Sequence, residues 1–527
     1  METTNVETSK YKVAIIGAGP AGLTSAYELS KRSVPNQVFE ADSIVGGISR
    51  TPEIDGWRFD IGGHRFFTKV KRVEDFWHEI LNEDEFLKRP RMSRIFYKGK
   101  FYDYPIKPMN ALRNLGVFEA LACICSYLWV RIRPPKNQST LEGYIARDYG
   151  WRLYKHFFKT YNEKVWGVPA SALSADWGAQ RIKGMSLFQA VWEPLRSRLI
   201  GKRGNKSEQI TSLIEEFYYP KFGPGMMWER CAELCRNMGT EIEMNTKVVS
   251  IERDQNKIIA ISTENNGKVS RHLVSHLISS MPLSELIMSI SPSAPESVIG
   301  AAKGLHYRDF LTVALVVPLE FSFPDNWIYV HSPEVKVGRI QNFGSWSPYM
   351  VKDSMTCLGL EYFVFEGDEL WNASDSDLVE LAKSELALIG LADKSRIGSG
   401  YVVRMPKAYP VYDEGYADKV EMLRRWIDDN ISNLYPVGRN GMHRYNNQDH
   451  SMYTAILSVE NILGAHHDIW SVNVEAQYHE EDSKNSSADK PDFAGSPNSG
   501  GRIAPVVPSS TNSGGRVAPV VPRRTAT

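Results

Sequence analysis

Three glycines near the start of the chain have the spacing of a dinucleotide-binding turn, Gly17-Ala-Gly19-Pro-Ala-Gly22. The apolar run Lys12–Gly17 predicts a buried strand before the turn, and the Ala- and Leu-rich segment after it predicts a helix. Glycines at these positions let backbone N–H groups approach a pyrophosphate, and Glu40, at the end of the next predicted strand, can hold a ribose hydroxyl. The pattern therefore predicts a dinucleotide site, with a generic glycine-rich turn as the alternative.

A second glycine pair, Gly46-Gly47, follows six residues after Glu40. A pair at this distance from the ribose-binding carboxylate is typical of FAD enzymes rather than NAD enzymes, because it lets the chain pass the diphosphate a second time. We therefore predict FAD as the cofactor, with NADPH or NADH as the candidate reductant. Further cofactor contacts are predicted at Gly63, Val248, Arg439, Asp449 and His450.

His64 lies in the glycine-paired loop Asp60-Ile-Gly-Gly-His64-Arg-Phe-Phe-Thr68. One interpretation is a turn histidine whose ring is satisfied by backbone groups. The other interpretation places the ring beside the flavin. The residues alone leave both interpretations open.

Several blocks of the sequence resemble the UDP-galactopyranose mutases, including their fungal branch, which are flavoenzymes within the amine oxidase and protoporphyrinogen oxidase fold group. The resemblance covers roughly Lys12–Leu463. Four blocks carry it, in the same order as in that family: Gly62–Thr68, Tyr97–Pro105, Tyr154–Pro169 with Arg181, and Gly438–Ser451. The resemblance implies that reduced FAD acts as a nucleophile, so that the pyranose and furanose forms of a UDP-hexose, galactose, interconvert without net redox change.

The resemblance also implies roles for individual side chains. Arg181 and Arg339 would hold the diphosphate, a task that suits permanently charged, fork-shaped groups because the diphosphate first leaves and then returns. His64 would tune the flavin through a loop hydrogen bond. Six aromatic side chains would bind the substrate. Those on the phosphate side are Tyr329, Tyr409 and Tyr445, and those on the uridine side are Tyr104, Tyr161 and Trp166.

Five positions depart from the pattern of that family. Phe67 replaces the second loop histidine of bacterial mutases, and Phe96 stands where fungal enzymes place a basic residue near the base. Ile106-Lys107 replaces a more polar or aromatic pair at the uracil, and His443 replaces an aromatic residue. We therefore expect the diphosphate site to be retained, whereas the identity of the base and of the sugar stays open.

Two other function classes are compatible with parts of the sequence. An FAD oxidoreductase of the amine oxidase or protoporphyrinogen oxidase type, with or without NAD(P)H, would share the cofactor motifs but has no use for a diphosphate clamp. A flavin-binding partner protein would use its C-terminal repeat to dock elsewhere. Binding of UDP separates the mutase from the oxidoreductase.

The order of elements predicts an α/β fold, with a Rossmann-like FAD-binding domain, a helical insertion and a mixed or antiparallel sheet in the substrate domain. The predicted segments are FAD-binding parts at 1–109, 216–305 and 413–474, a mainly helical substrate-side domain at 110–215, an antiparallel-sheet substrate domain at 306–412 and a disordered tail at 475–527. The alternating segments Glu241–Met244 and Lys247–Arg253 are expected to pair with each other as strands.

The composition excludes several classes of protein. The chain has 527 residues, with 62 basic and 62 acidic side chains, which argues against a nucleic-acid partner held by bulk charge. Its five cysteines lack zinc-like spacing, so we predict no metal site and reduced, mostly buried thiols, as in a cytoplasm. The expected partners are a small nucleotide sugar and, in a homo-oligomer, further copies of the chain.

The most apolar stretch, Ala120–Val130, has about eleven residues, against the roughly 20 needed to span a bilayer. We predict a buried helix here and no transmembrane segment, with peripheral membrane contact as the alternative. Met1–Lys10 is polar and lacks the apolar core of an export signal.

After Glu475 the composition turns to Ser, Pro, Gly, Asn and Asp, and the decapeptide Ser499–Pro508 recurs almost unchanged at Ser513–Pro522. Such a segment buries too little apolar surface to offset its ordering entropy, so we expect disorder. The repeat is a candidate docking motif for a partner, and a plain tail is the alternative.

Truncation after Glu475 should leave the activity and the Tm almost unchanged, because it removes no predicted element of regular structure. Thermal unfolding and turnover of the full-length and truncated chains measure this. A large loss of either quantity would show that the tail packs on the body.

Overall fold

The computed structural model describes residues 13–104, 108–175 and 216–473, so that Arg181 and the segment 475–527 lie outside the described residues. The strands of the described residues are β1 (Val13–Ile16), β2 (Asn36–Phe39), β3 (Glu53–Ile54), β4 (Trp57–Arg58), β5 (Phe86–Pro90), β6 (Ser93–Tyr97), β7 (Lys100–Asp103), β8 (Glu216–Pro220), β9 (Glu241–Glu243), β10 (Lys247–Asp254), β11 (Lys257–Asn265), β12 (Lys268–Leu273), β13 (His276–Ser279), β14 (Ile290–Ser291), β15 (Tyr307–Pro318), β16 (Trp327–Val330), β17 (Arg339–Asn342), β18 (Met355–Val364), β19 (Gly400–Pro410) and β20 (Leu434–Pro436). The α-helices of the same residues are α1 (Pro20–Lys31), α2 (Lys71–Ile80), α3 (Pro108–Leu115), α4 (Val117–Ile132), α5 (Leu141–Tyr149), α6 (Trp151–Tyr154), α7 (Thr160–Trp166), α8 (Gly225–Asn237), α9 (Leu283–Met288), α10 (Glu296–Lys303), α11 (Phe343–Trp346), α12 (Glu369–Asn372), α13 (Asp375–Leu388), α14 (Tyr416–Asn430), α15 (Gly438–Gly441) and α16 (Gln448–Ile462).

A five-stranded parallel sheet carries the predicted cofactor half, in the order β20-β13-β1-β2-β9. Its central strand β1 is buried throughout, as the continuous apolar run predicts for a strand covered on both faces. Helix α1 follows β1 and packs against α8 and α16. The strand, glycine turn, helix and second strand predicted from the first forty residues are therefore present.

The two segments expected to pair with each other do not do so. Strand β9 joins β2 in the parallel sheet, whereas β10 pairs with β11 in a separate sheet, β12-β11-β10-β14. The backbone of Glu40 forms hydrogen bonds with both ends of the short segment between β9 and β10. Its N–H donates to the Glu243 carbonyl at 2.8 Å, and its carbonyl accepts from the Thr246 N–H at 2.7 Å. The chain therefore turns away from the parallel sheet before β10 begins.

A seven-stranded sheet carries the predicted substrate half, in the order β19-β15-β18-β17-β16-β6-β7. All neighbours in it are antiparallel except β16 and β6, which are parallel. The long strand β15 is buried along almost its whole length, and α13 packs on β15 and β19. The protein is thus an α/β fold with a parallel cofactor sheet and a mixed, largely antiparallel second sheet, as predicted.

Helix α4 covers the apolar stretch that was predicted to be a buried helix, but only one of its faces is buried. Ala120, Cys123, Tyr127 and Val130 are covered, whereas large apolar side chains on the other face are exposed. The prediction is wrong because the neighbouring helices α3, α5 and α6 pack against α4 without covering this second face. All five cysteines are free and only Cys125 is exposed, as expected. No α-helix within the described ranges is long and apolar enough to cross a membrane.

Asp60 ties the loop before His64 to β8 and α8. Its buried carboxylate accepts hydrogen bonds from the hydroxyls of Tyr219 and Thr51, the second at 2.8 Å. The Thr51 hydroxyl in turn accepts from the Gly225 N–H at 3.0 Å. Burial raises the pKa of Asp60 to about 7, and the two donated hydrogen bonds offset only part of this effect.

Between about pH 5 and pH 8 wild type should lose about 2–3 kcal/mol of its free energy of unfolding relative to Asp60→Asn, because Asp60 keeps its proton in the folded chain up to about pH 7. The pKa of Asp60 is higher in the folded chain than in the unfolded one. Its contribution to the free energy of unfolding is therefore complete when the pH is below the pKa of the unfolded chain, and it is lost as the pH rises through about 7. Denaturant unfolding at both pH values measures the slope. Asp84→Asn, at an exposed carboxylate, is the control. Equal slopes for wild type and Asp60→Asn would contradict the role of Asp60.

Candidate active site

The turn between β1 and α1 has the geometry of a pyrophosphate cradle. Gly17 has a φ of +95° and donates its N–H to the Phe39 carbonyl at 2.8 Å. A Cβ on Gly22 would lie 1.8 Å from the Gly17 oxygen, so only glycine fits at that position. Helix α1 begins at Pro20, and its positive end therefore lies at the turn.

Glu40 borders the cradle at the end of β2. Its carboxylate accepts hydrogen bonds from the N–H groups of Ala18 and Asp42 at 2.6 and 2.9 Å. Burial raises the pKa of Glu40. Val248, at the start of β10, is buried in the core cluster that also contains Phe39. The carboxylate is thus held at the mouth of the glycine turn, where a ribose would lie.

The second glycine pair rests on the first turn. A Cβ on Gly47 would be 3.3 Å from the Gly19 Cα, and the Gly46 N–H donates to the Ala18 carbonyl at 2.8 Å. Both glycines of the pair have positive φ. The chain therefore passes the same small space twice, as the FAD prediction requires.

The late segment predicted for the cofactor reaches the same turn. A Cβ on Gly438 would lie 3.1 Å from the Ala21 Cβ in α1. Asn447 and His450 form a capping box, in which the Asn447 N–H donates to His450 Nδ1 at 3.2 Å, and Asp449 is buried in the first turn of α16. Three separate stretches of chain thus meet at the N-terminus of α1, and their glycines and backbone donors fit FAD.

His64 lies between the cradle and the seven-stranded sheet. Its Nε2 is 2.9 Å from the Ile61 carbonyl oxygen, and its Nδ1 is 3.3 Å from the Ser49 hydroxyl. Burial and, to a smaller extent, the charges of Arg439 and Arg339 lower the pKa of His64 to about 4, so the ring is neutral at pH 7. The ring is therefore satisfied by a backbone oxygen and also contacts the second glycine loop.

Arg339, Tyr329 and Glu361 lie side by side across three strands. Tyr329 in β16 is opposite Arg339 in β17, which is opposite Glu361 in β18. Glu361 has no exposed surface, and its carboxylate accepts from the Nε of Arg339 and from Gln341 Nε2, the latter at 2.8 Å. Burial lowers the pKa of Arg339, but attraction to Glu361 outweighs burial and raises that pKa well above its ordinary value. A Cβ on Gly63 would be 3.1 Å from Gln341 Nε2. The loop that contains Gly63 therefore packs beside the row formed by Tyr329, Arg339 and Glu361.

Tyr329 is also the centre of an aromatic group. Its ring centroid is 5.2 Å from that of Tyr104 and 5.4 Å from that of Tyr161, both edge to face. Tyr161 stacks on His331 with a centroid distance of 4.7 Å. The structure therefore brings both uridine-side tyrosines next to a phosphate-side tyrosine.

Tyr409 and Tyr445 form a second aromatic group. Their rings stack at 5.5 Å, and the guanidinium of Arg439 lies over both, 5.3 and 4.8 Å from the centroids. The ring centroid of Trp166 lies 6.5 Å from that of Tyr445, edge to face, and Trp166 is only 1% exposed. Trp166 therefore packs against Tyr445 from the protein interior.

Several donors of this site find no hydrogen-bond acceptor within the described part of the chain. They are the two Nη groups of Arg339 and the hydroxyls of Tyr161, Tyr329 and Tyr409. Burial raises the pKa of Tyr161 well above its usual range and that of Tyr409 to about 12, so these two hydroxyls keep their protons. A charged fork with neutral O–H donors beside it can bind an anion.

Other positions named from the sequence either fall outside the described residues or lie in the core. Arg181 and Ile106-Lys107 fall outside the described residues. Phe96 is buried in the core of the seven-stranded sheet. His443 is buried with its ring edge-on to Tyr307 at 4.9 Å, so it serves packing.

Glu361, Gln341 and His331 also belong to the site, although no motif of the sequence indicates them. A signal for Glu361 was available, since a carboxylate inside an apolar strand needs a cation beside it. Gln341 is two residues after Arg339, and side chains two apart in a strand share a face. For His331 the sequence offers no comparable signal, because its partner Tyr161 comes from a helix.

Comparison with known proteins bears on the family. The sequence profile described as flavin containing amine oxidoreductase matches residues 20–402. The chain is 24% identical over 274 residues to a 1-hydroxycarotenoid 3,4-desaturase from Flavobacterium sp., a match that spans 48% of this chain and only 54% of the desaturase. It is 35% identical over 466 residues to coproporphyrinogen III oxidase from Staphylococcus aureus, spanning 80% of this chain and 92% of the oxidase. The crystal structure of a reduced UDP-galactopyranose mutase shares the fold, with a TM-score of 0.75 and 22% identity, over 88% of this chain and 98% of that one.

Removal of one partner of the Arg339–Glu361 pair should lower the free energy of unfolding by roughly 3–5 kcal/mol, because the other charge stays buried without a counter-ion. Arg339→Met and Glu361→Leu should each show this loss, and the double variant should recover most of it. Denaturant unfolding of the four proteins completes the cycle. Arg425→Met, at an exposed arginine of α14, is the control. Additive losses in the double variant would contradict the coupling.

Proposed function

Because the chain belongs to the flavin-containing amine oxidoreductase family, whose cofactor is FAD, we propose that it is an FAD-dependent nucleotide-sugar mutase that interconverts UDP-galactopyranose and UDP-galactofuranose. The observation that carries this proposal is the array of open donors formed by Arg339 with Tyr161, Tyr329 and Tyr409. A diphosphate supplies closely spaced, charged acceptors for such an array. The fold shared with a UDP-galactopyranose mutase is compatible with this function.

The residues of the chain have distinct tasks in the proposed reaction. When bound in its reduced form, FAD supplies the nucleophile. Arg339 holds the diphosphate both when it leaves the sugar and when it returns, because the pairing with Glu361 keeps the guanidinium charged. The hydroxyls of Tyr161 and Tyr329 donate to the same oxygens, and their rings exclude water from one side of the anion.

His64 orients the loop between cofactor and substrate. Since the Ile61 carbonyl oxygen can only accept, the Nε2 of His64 carries the ring proton, and its Nδ1 accepts from the Ser49 hydroxyl. One neutral tautomer is therefore fixed. The ring adds no charge to the site and links the glycine loop to the loop that rests on the sheet.

An FAD oxidoreductase is the second candidate. The observation in its favour is the similarity to a desaturase and to a coproporphyrinogen oxidase. An enzyme of this class transfers electrons from its substrate in every turnover, with oxygen or NAD(P)⁺ as the acceptor. A mutase consumes no reductant once its flavin is reduced.

UDP should bind the FAD-loaded chain and should bind Arg339→Lys about ten- to a hundredfold more weakly, because an ammonium cannot supply the planar fork. Tyr161→Phe should weaken binding about tenfold. Titration of flavin fluorescence with UDP measures both. Arg425→Lys and Tyr349→Phe, at exposed positions outside the site, are the matched controls and should bind as wild type.

Turnover then separates the two candidates. Dithionite-reduced enzyme should convert UDP-galactofuranose to UDP-galactopyranose without stoichiometric loss of reductant, as followed by chromatography. Absence of UDP binding in wild type, or equal UDP affinity in wild type and Arg339→Lys, would replace the mutase with the oxidoreductase.

A further inference from the structure

We propose that α4 docks this protein on an anionic lipid surface, with the helix lying in the plane of the membrane. The proposal does not depend on the reaction catalysed. It starts from the apolar side chains that α4 exposes, among which Phe118 is 91% and Ile132 is 76% exposed. The full set of exposed large apolar side chains on this helix is Val117, Phe118, Leu121, Leu128, Trp129 and Ile132.

These side chains form one stripe. Phe118, Leu121, Cys125, Leu128 and Ile132 follow each other at spacings of three and four residues, which places them on the same face of a helix. A scattered exposed leucine is ordinary, but a continuous apolar face over four turns marks an interaction surface. At 16 residues α4 is about 24 Å long, shorter than the roughly 30 Å hydrocarbon core, so it can lie in a bilayer surface but cannot span it.

The opposite face holds the helix firmly on the protein. A Cβ on Gly150, at the junction of α5 and α6, would be 2.8 Å from the Tyr127 nitrogen, so the helices are closely packed there. Near the start of α4 the Glu119 carboxylate accepts from Arg152 at 2.8 Å and lies 2.6 Å from His156 Nε2. The exposed stripe therefore faces outward on a fixed scaffold.

The charge of the surrounding segment indicates the kind of surface that covers the stripe. The whole chain has 62 basic and 62 acidic side chains, whereas residues 108–175 have nine basic and four acidic ones. Three exposed cations, Arg131, Arg133 and Lys136, follow directly at the C-terminal end of the stripe. The Arg133 guanidinium lies 5.4 Å from the Trp129 ring centroid, so aromatic and cationic groups occur together, as they do at membrane interfaces.

The same charges argue against two other occupants. A symmetric contact between two copies would bring two positively charged segments together, and Glu119 and Asp148 are already paired with Arg152 and Arg147. The apolar repeats of the tail are also cationic, since residues 499–527 contain four arginines and no acidic side chain. An anionic lipid headgroup layer complements the cations, while its acyl boundary accepts the apolar stripe.

Flotation of the FAD-loaded protein with vesicles tests the proposal. The protein should float with vesicles of phosphatidylcholine and phosphatidylglycerol, less with phosphatidylcholine alone, and less at high salt. The double variant Phe118→Ser/Ile132→Ser should lose about tenfold or more in vesicle affinity. Val269→Ser/Leu388→Ser, at apolar positions outside α4 that are 63% and 68% exposed, is the control and should bind as wild type.

A charge variant provides a second, independent measurement. Arg131→Gln/Arg133→Gln should weaken binding to the anionic vesicles about fivefold per charge removed and leave the weak binding to neutral vesicles unchanged. An unchanged Tm shows that each variant is folded. Failure of wild type to float, or equal flotation of wild type and Phe118→Ser/Ile132→Ser, would overturn the proposal. A dimer in sedimentation velocity that this variant converts to a monomer, without vesicle binding by wild type, would assign the stripe to a second copy instead.

Discussion

The buried carboxylate of Glu361 is the constraint on which the arrangement of the candidate site depends. A charge without exposed surface in the middle of a sheet is stable only beside a cation and further donors, and Arg339 and Gln341 supply them. Because both partners come from β17, this requirement fixes the register of β17 against β18. The same register places Tyr329 opposite Arg339. One electrostatic requirement therefore positions the guanidinium and the central tyrosine together.

The loop from Asp60 to His64 connects this row to the cofactor cradle. At one end Asp60 accepts a hydrogen bond from Tyr219 on β8, and further along a Cβ on Gly63 would be only 3.1 Å from Gln341 Nε2. The ring of His64 then reaches the second glycine loop. This short segment therefore contacts both the cofactor half and the substrate half of the molecule.

The sequence predicts the features that depend on neighbours along the chain. The glycine turn, α1 and the acidic end of β2 belong to one strand–helix–strand unit, and their spacing is sufficient to recognise them. Features set by distant partners could not be predicted. β9 pairs with β2 because the backbone of Glu40 holds the chain after Glu243, and no pattern within β9 or β10 shows this. The composition of α4 predicts a helix, but not that its neighbours α3, α5 and α6 leave one of its faces exposed. Arg339 was predicted, whereas its partner Glu361 was not, because a pairing across strands appears only in the fold.

The charges around the tyrosines bear on the class of substrate. The charge of Arg339 is balanced by Glu361, whereas Arg439 contacts only carbonyl oxygens and aromatic rings within the described residues. With His64 neutral, the two cations Arg339 and Arg439 face the single anion Glu361 among the described residues around the tyrosines, a balance that favours an anionic ligand over a cationic amine. A tetrapyrrole is also an anion, but it carries its carboxylates on separate side chains around a wide ring. A diphosphate concentrates its oxygens within a few bonds. The charge of Arg339 acts on both Tyr161 and Tyr409, so these donors belong to one region of the site and are compatible with the proposed diphosphate.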